Sequence, residues 1–95
     1  MAAALKALAV PSRLRIIELL QSHPYCVSAL TMRLDISQPA VSQHLAVLKR
    51  AGLVDSEKNG AMVHYRVNPK RFEQVMKALA VVGRIGLRGA AETDA

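Results

Sequence analysis

The chain has 95 residues, with 13 Lys+Arg against 7 Asp+Glu and a formal net charge of +6. Its 52% hydrophobic content is too high for a disordered segment, and a lone Cys26 rules out a disulfide scaffold. No run approaches the roughly 18 apolar residues of a membrane span. With 3% aromatic residues, the core of this single small domain has to come from Leu, Val, Ile, Ala and Met, and association with a second copy would help it. The opening Met1-Ala-Ala-Ala-Leu5-Lys6 has neither the charged start nor the cleavage site of a signal peptide, so a cytoplasmic location is expected. The cationic excess points first to a polyanion; solubility alone is the plainer explanation.

In chain order, Ala2 to Val10 reads as a short Ala/Leu helix with Leu5 and Leu8 three apart. Pro11 opens the next helix, where a missing N–H costs nothing, and Leu14, Ile16, Ile17, Leu19 and Leu20 give it a broad buried stripe. His23-Pro24 ends it near Ser22. Val27 to Leu34 is a third helix, followed by the break Asp35-Ile36-Ser37. Ser37 is a good N-cap for a fourth helix, Gln38–Ala51, on which Val41, Leu45 and Leu48 recur on one face and which Gly52 terminates. Two helices joined by a tight turn, the second amphipathic with a polar outer side, form a helix-turn-helix.

After Gly52 the period changes to two. Leu53–Lys58 and Ala61–Val67 flank Asn59-Gly60, a strong hairpin signal, so a wing is expected over Leu53–Val67. Asn68 then caps a last helix starting at Pro69, with Phe72, Val75, Met76, Leu79 and Val82 as its stripe. Residues 89–95 read as a flexible acidic tail beyond a single domain of residues 1–88. The expected class is mainly α with a two-stranded hairpin, a winged helix-turn-helix in the order α-α-α-α-β-β-α.

Opposite the apolar face of the fourth helix lie Gln43 and Arg50, with Ser42 and Lys49 on one flank and His44 on the other. Gln pairs bidentately with adenine and Arg with guanine or phosphate, while Gln38 and Ser42 sit near the end that meets base edges in recognition helices. Lys58 at the hairpin tip and Arg66 on the return strand are natural phosphate or minor-groove contacts. Lys49, Arg50, Lys58, Arg66, Lys70 and Arg71 place six cations within 23 residues, opposed there by Asp55 and Glu57. Exposed polar residues on any solvated helix or turn are the plain alternative for each; their grouping between a tight turn and a hairpin favours double-stranded DNA.

The apolar residues of the terminal helices, Leu5, Leu8, Phe72, Val75, Met76, Leu79 and Val82, are the expected homodimer interface, though some of them must pack within the chain. Cys26 is the candidate redox sensor; its simpler role is that of a small half-buried hydrophobe. His23-Pro24-Tyr25-Cys26 supplies two ligands, which do not make a metal site, so neither metal nor other cofactor is expected. No Gly-rich phosphate loop, paired carboxylates or Ser/His/acid set can be assembled, and an enzyme is not expected.

The stretch from Leu8 to Pro69 resembles the ArsR/SmtB family of bacterial winged-helix repressors through Pro11-Ser-Arg-Leu-Arg-Ile16, Ser37-Gln-Pro-Ala-Val-Ser-Gln-His-Leu45, Leu48-Lys-Arg-Ala-Gly-Leu-Val54 and Val63-His-Tyr-Arg66. The resemblance implies a cytoplasmic, nucleoid-associated homodimer on an imperfect promoter palindrome, repressing until a signal loosens it. It implies DNA contacts at Ser37, Gln38, Ser42, Gln43 and His44, with Lys58 and Arg66 in the wing. The effector residues depart from the family. Arsenic-responsive members carry Cys-Val-Cys and a further Cys where this chain reads Cys26-Val27-Ser28-Ala29-Leu30-Thr31, so one thiol of three remains. Zinc- and nickel-type members use Asp/His pairs on the last helix, whereas Phe72 to Leu87 has no His and only Glu73 as an acid. Val10 stands where many relatives have Asp.

The expected function is therefore that of a homodimeric, sequence-specific DNA-binding repressor. The rival is a winged-helix protein-interaction module, with an RNA-binding variant between them. Three aromatic residues provide few stacking platforms for RNA, and the polar helix face lacks the apolar anchors of a protein groove. Constitutive repression, an oxidative or soft-metal response at Cys26, and a ligand in a dimer cleft remain open as signals.

Overall fold

Helix caps and one glycine set the punctuation of the fold. The computed structural model describes the backbone of residues 1–94 and the side chains of residues 1–83. The elements are α1 (Ala2–Leu8), α2 (Pro11–Ser22), α3 (Val27–Arg33), α4 (Gln38–Arg50), β1 (Val54–Asn59), β2 (Met62–Val67) and α5 (Pro69–Asp94). This is the expected winged helix-turn-helix order. The boundary expected at Gly89 falls where only the helical backbone of α5 is described.

Each boundary has a local cause. Pro11 and Pro39 occupy the first turns of α2 and α4, and the Ser37 hydroxyl accepts from Ala40 N at 3.3 Å. At the far end of α4, Gly52 has φ +78°; its N–H donates to Lys49 O at 2.9 Å and Leu53 N–H donates to Leu48 O at 3.0 Å. This paired closure is the Schellman motif, and Leu48 and Leu53, which it brings together, are both fully buried. Asn68 Oδ1 accepts from Arg71 N at 3.1 Å to cap α5, while Asn68 N–H donates to Leu53 O at 2.9 Å and ties the base of the wing to that cap.

The hairpin differs from expectation by one residue. Asn59 pairs with Met62, so the two-residue loop is Gly60-Ala61 rather than Asn59-Gly60. Gly60 has φ +66° and among the described residues no non-glycine residue, Ala61 included, has positive φ, which is the type II′ pattern with Gly leading. A further backbone bridge, absent from the sequence reading, joins Tyr25 to Tyr65: each N–H donates to the other's carbonyl, at 3.1 and 2.8 Å. The segment entering α3 thus lies against the hairpin as a one-residue third strand, and Tyr25 is buried there.

The core draws on Ala4, Ile16, Ile17, Leu20, Leu30, Val41, Leu45, Leu48, Leu53, Val54 and Val75. Full burial of a Leu or Val side chain stabilises by about 1.5–3 kcal/mol, so α4, with three such residues on one face, is firmly seated. Two expectations need correction. Leu14 is 52% exposed instead of lying in the α2 stripe, because Ile16, Ile17 and Leu20 already complete the inward arc. Val75 is fully buried in the protomer's own core and offers no surface to a second chain, and Leu8 is nearly so, reaching the surface only where it lines the groove between α1, α2 and α5.

Candidate nucleic-acid interface

The fold seats α4 with Val41, Leu45 and Leu48 inward, and the helical period then turns Gln38, Ser42, Gln43, Ala46, Lys49 and Arg50 to solvent. Ser37 is exposed at the same end; its oxygen is engaged as the N-cap acceptor, which leaves its hydroxyl proton to donate outward. An amphipathic helix has thus placed two amides, two hydroxyls and two cations along one surface. Basic Lys49 and Arg50 lie in its last turn, where they also suit the negative end of the helix dipole.

His44 is set differently from its neighbours. It is half-buried, and Arg13 of α2 donates from Nε to His44 Nδ1 at 3.1 Å. Burial, followed by the Arg13 charge, holds the imidazole pKa below its ordinary 6.5. In the sequence Arg13 stands out only as part of the Pro11–Ile16 motif. A contact 31 residues apart leaves no periodic trace, and the only available signal was that an Arg flanking an inward helical face had no acid nearby to pair with.

The two wing cations are separated by the hairpin register. Lys58 is opposite Val63 and shares a face with Ser56, whose hydroxyl accepts from Lys49 Nζ of α4 at 2.6 Å. Lys58 therefore stands on the α4 side of the hairpin. Arg66 is opposite Asp55 on the other face, 3.4 Å from the Glu57 carboxylate and beside His64 and Pro24. Both members of that pair are more than half exposed, which makes it weak, but the Arg66 charge is offset and faces away from Lys58. Of the other clustered cations, Lys70 is exposed, whereas Arg71 donates from Nε to Ala51 O at 3.3 Å and so is spent closing the end of α4. Arg50 and Lys58 form no ion pair among the described residues.

Between α1, α2 and α5, Leu5, Leu14, Phe72, Met76 and Leu79 line an apolar groove. Leu14, Met76, Leu79, Val81 and Val82 are each 39–61% exposed, so the apolar surface continues along α5 past the groove. Cys26 is half-buried at the N-cap position of α3, where its side chain makes no capping bond. Among the described residues no group of three or more His, Cys, Asp or Glu could hold a metal ion, and no helix is long and apolar enough to cross a membrane.

A family model described as bacterial regulatory protein, arsR family, matches residues 10–56, the stretch from the start of α2 into β1. The HTH-type transcriptional repressor SmtB of Mycobacterium tuberculosis is 46% identical over 80 residues, covering 83% of this chain and 59% of that protein. The transcriptional activator HlyU of Vibrio cholerae is 39% identical over 75 residues, covering 79% of this chain and 69% of that protein. This chain belongs to the ArsR family. The solved structure of an ArsR-like transcriptional regulator from Rhodococcus sp. RHA1 superposes on the ArsR-family domain described here with a TM-score of 0.78 at 30% identity, covering 95% of this chain and 85% of that one. The chain spans about three-fifths of the length of the SmtB proteins it matches.

Proposed function

We propose that this ArsR-family protein is a homodimeric, sequence-specific DNA-binding transcriptional repressor that reads the major groove with α4 and steadies itself on the backbone with the hairpin. The observation that carries the reading is the division of α4: three fully buried apolar residues on one face, and an exposed face of amides, hydroxyls and cations flanked by Lys58. Gln38, Ser42, Gln43 and His44 serve as base-edge readers or their supports, with Ser37 at the helix start. Lys49, Arg50 and Lys58 bind phosphate. Arg66 is a weaker contributor, because Glu57 offsets it on the far face of the hairpin.

The dimer in this reading buries the exposed apolar surface of α1, Leu14 and α5. Two-fold symmetry then presents two α4 helices to successive major grooves, about 34 Å apart along the duplex. The naming of SmtB as a repressor supports repression as the outcome. Half-buried Cys26 stands as the one thiol through which an oxidant or soft metal could act; the signal is otherwise a ligand or none.

A mobility shift with duplex selected by the protein from a random pool tests the proposal, run at about physiological salt with and without thiol oxidant, Zn(II), Ni(II) and As(III). A discrete shift competed by the selected duplex and not by a scrambled one is expected. Loss of the shift to any competitor alike would overturn it in favour of a protein-interaction module.

A further inference from the structure

The Arg13–His44 contact joins two groups with unequal freedom. Guanidinium has N–H donors, no acceptor, and a charge it does not lose. With Arg13 Nε donating to it at 3.1 Å, His44 Nδ1 has to supply a lone pair. The neutral imidazole then carries its single proton on Nε2. Both other forms conflict with the contact. The Nδ1–H tautomer would set N–H against N–H, and the imidazolium would add a like charge beside the guanidinium. Arg13 is itself held from a second direction, since its Nη1 donates to Ala7 O of α1 at 3.4 Å. The guanidinium is thus braced between the last turn of α1 and the middle of α4, and it cannot follow His44 if the ring turns.

We propose that Arg13 is a positioning residue for DNA readout: by donating to His44 Nδ1 it locks the ring as the neutral Nε2–H tautomer, so that His44 offers the major groove a hydrogen-bond donor and no charge. The inference rests on the DNA-binding reading of α4. A donor at that position accepts guanine N7/O6, adenine N7 or thymine O4 as partner and rejects the N4 amino group of cytosine. An unlocked histidine could offer either a donor or an acceptor, or a cation to phosphate, and would discriminate less. Arg13 thereby contributes to base preference without being required to touch the duplex.

Ring 15N spectra of the free protein test the lock directly. The wild type is expected to show an unprotonated Nδ1 and a protonated Nε2 at His44, Arg13→Met a mixture of tautomers, and Arg13→Lys a return toward the wild-type pattern. Mobility shifts then compare the duplex selected by the wild type with duplexes in which each base pair is exchanged in turn. Arg13→Met should lower discrimination at one base pair of each half-site by about tenfold, with unrelated duplex bound as before, and Arg13→Lys should restore most of it. In a His44→Ala background, Arg13→Met should cause no further loss. An equal loss with and without His44 overturns the proposal, as does a protonated Nδ1 in the wild type; either result makes Arg13 a brace between helices or a direct DNA contact. A wild type that selects no duplex overturns the DNA reading itself, a failure kept separate because the ring spectra need no DNA.

Discussion

Helices α4 and α5 are both amphipathic, yet they leave opposite kinds of surface uncovered. In α4 the apolar residues Val41, Leu45 and Leu48 are all at 0% exposure, and what remains outside is polar or cationic apart from Pro39, Ala46 and the half-buried Val47. Among the described side chains of α5 only Val75 is fully buried, while Met76, Leu79, Val81 and Val82 remain 39–61% exposed. The first helix is finished by its own fold and has hydrogen-bonding groups to spare. The second has more apolar surface than one protomer can cover, which is the condition for association with a second copy. In the proposed reading one helix meets a polyanion and the other a second copy of the chain.

The largest expected effect strikes the finished side. Leu48→Ala removes a fully buried side chain that also packs under the α4 closure, and should cost about 2–5 kcal/mol in chemical denaturation. Leu79→Glu tests the unfinished side. It should leave the far-UV circular dichroism of the protomer intact and shift the mass in analytical ultracentrifugation from dimer to monomer; an unchanged mass would remove α5 from the interface. At the next scale, Gln43→Ala should cost about 1–3 kcal/mol of preference for the selected duplex over an exchanged one while leaving stability unaltered.

Smaller effects sharpen the comparison within the wing. Lys58→Ala should weaken binding to all duplexes alike and flatten the log–log salt slope by about one unit. Arg66→Ala, on the other hairpin face and offset by Glu57, should change that slope less; equal changes would contradict the separation of the two cations. The smallest effect concerns pH. Because the His44 pKa is lower folded than unfolded, the unfolded chain binds more protons between the two values. The His44 contribution to stability is therefore full above 6.5 and falls with pH from there down to the folded value. Denaturation midpoints measured across that window should decline less in His44→Gln than in the wild type.

The parts of this protein legible in its sequence are those decided by neighbours along the chain. Ser37 and Asn68 as caps, Pro11, Pro39 and Pro69 in first turns, Gly52 as the left-handed closure and the inward face of α4 follow from φ/ψ preferences and a 3.6-residue period, which act over a few residues. The hairpin was located on the same grounds. Its loop shifted by one residue because glycine satisfies a type II′ turn in first position as readily as a type I′ turn in second, and cross-strand pairing chose between them.

What only the tertiary structure decided are matters of distance across the fold. Register put Lys58 toward α4 and Arg66 away from it; packing took Val75 into the core and left Leu14 out. The Tyr25–Tyr65 bridge and the Arg13–His44 contact join residues 40 and 31 positions apart. Composition and periodicity record which residues are apolar or charged and how often they recur. They do not record which partner a side chain meets once helices cross, and it is that meeting which makes Arg13 a neighbour of α4.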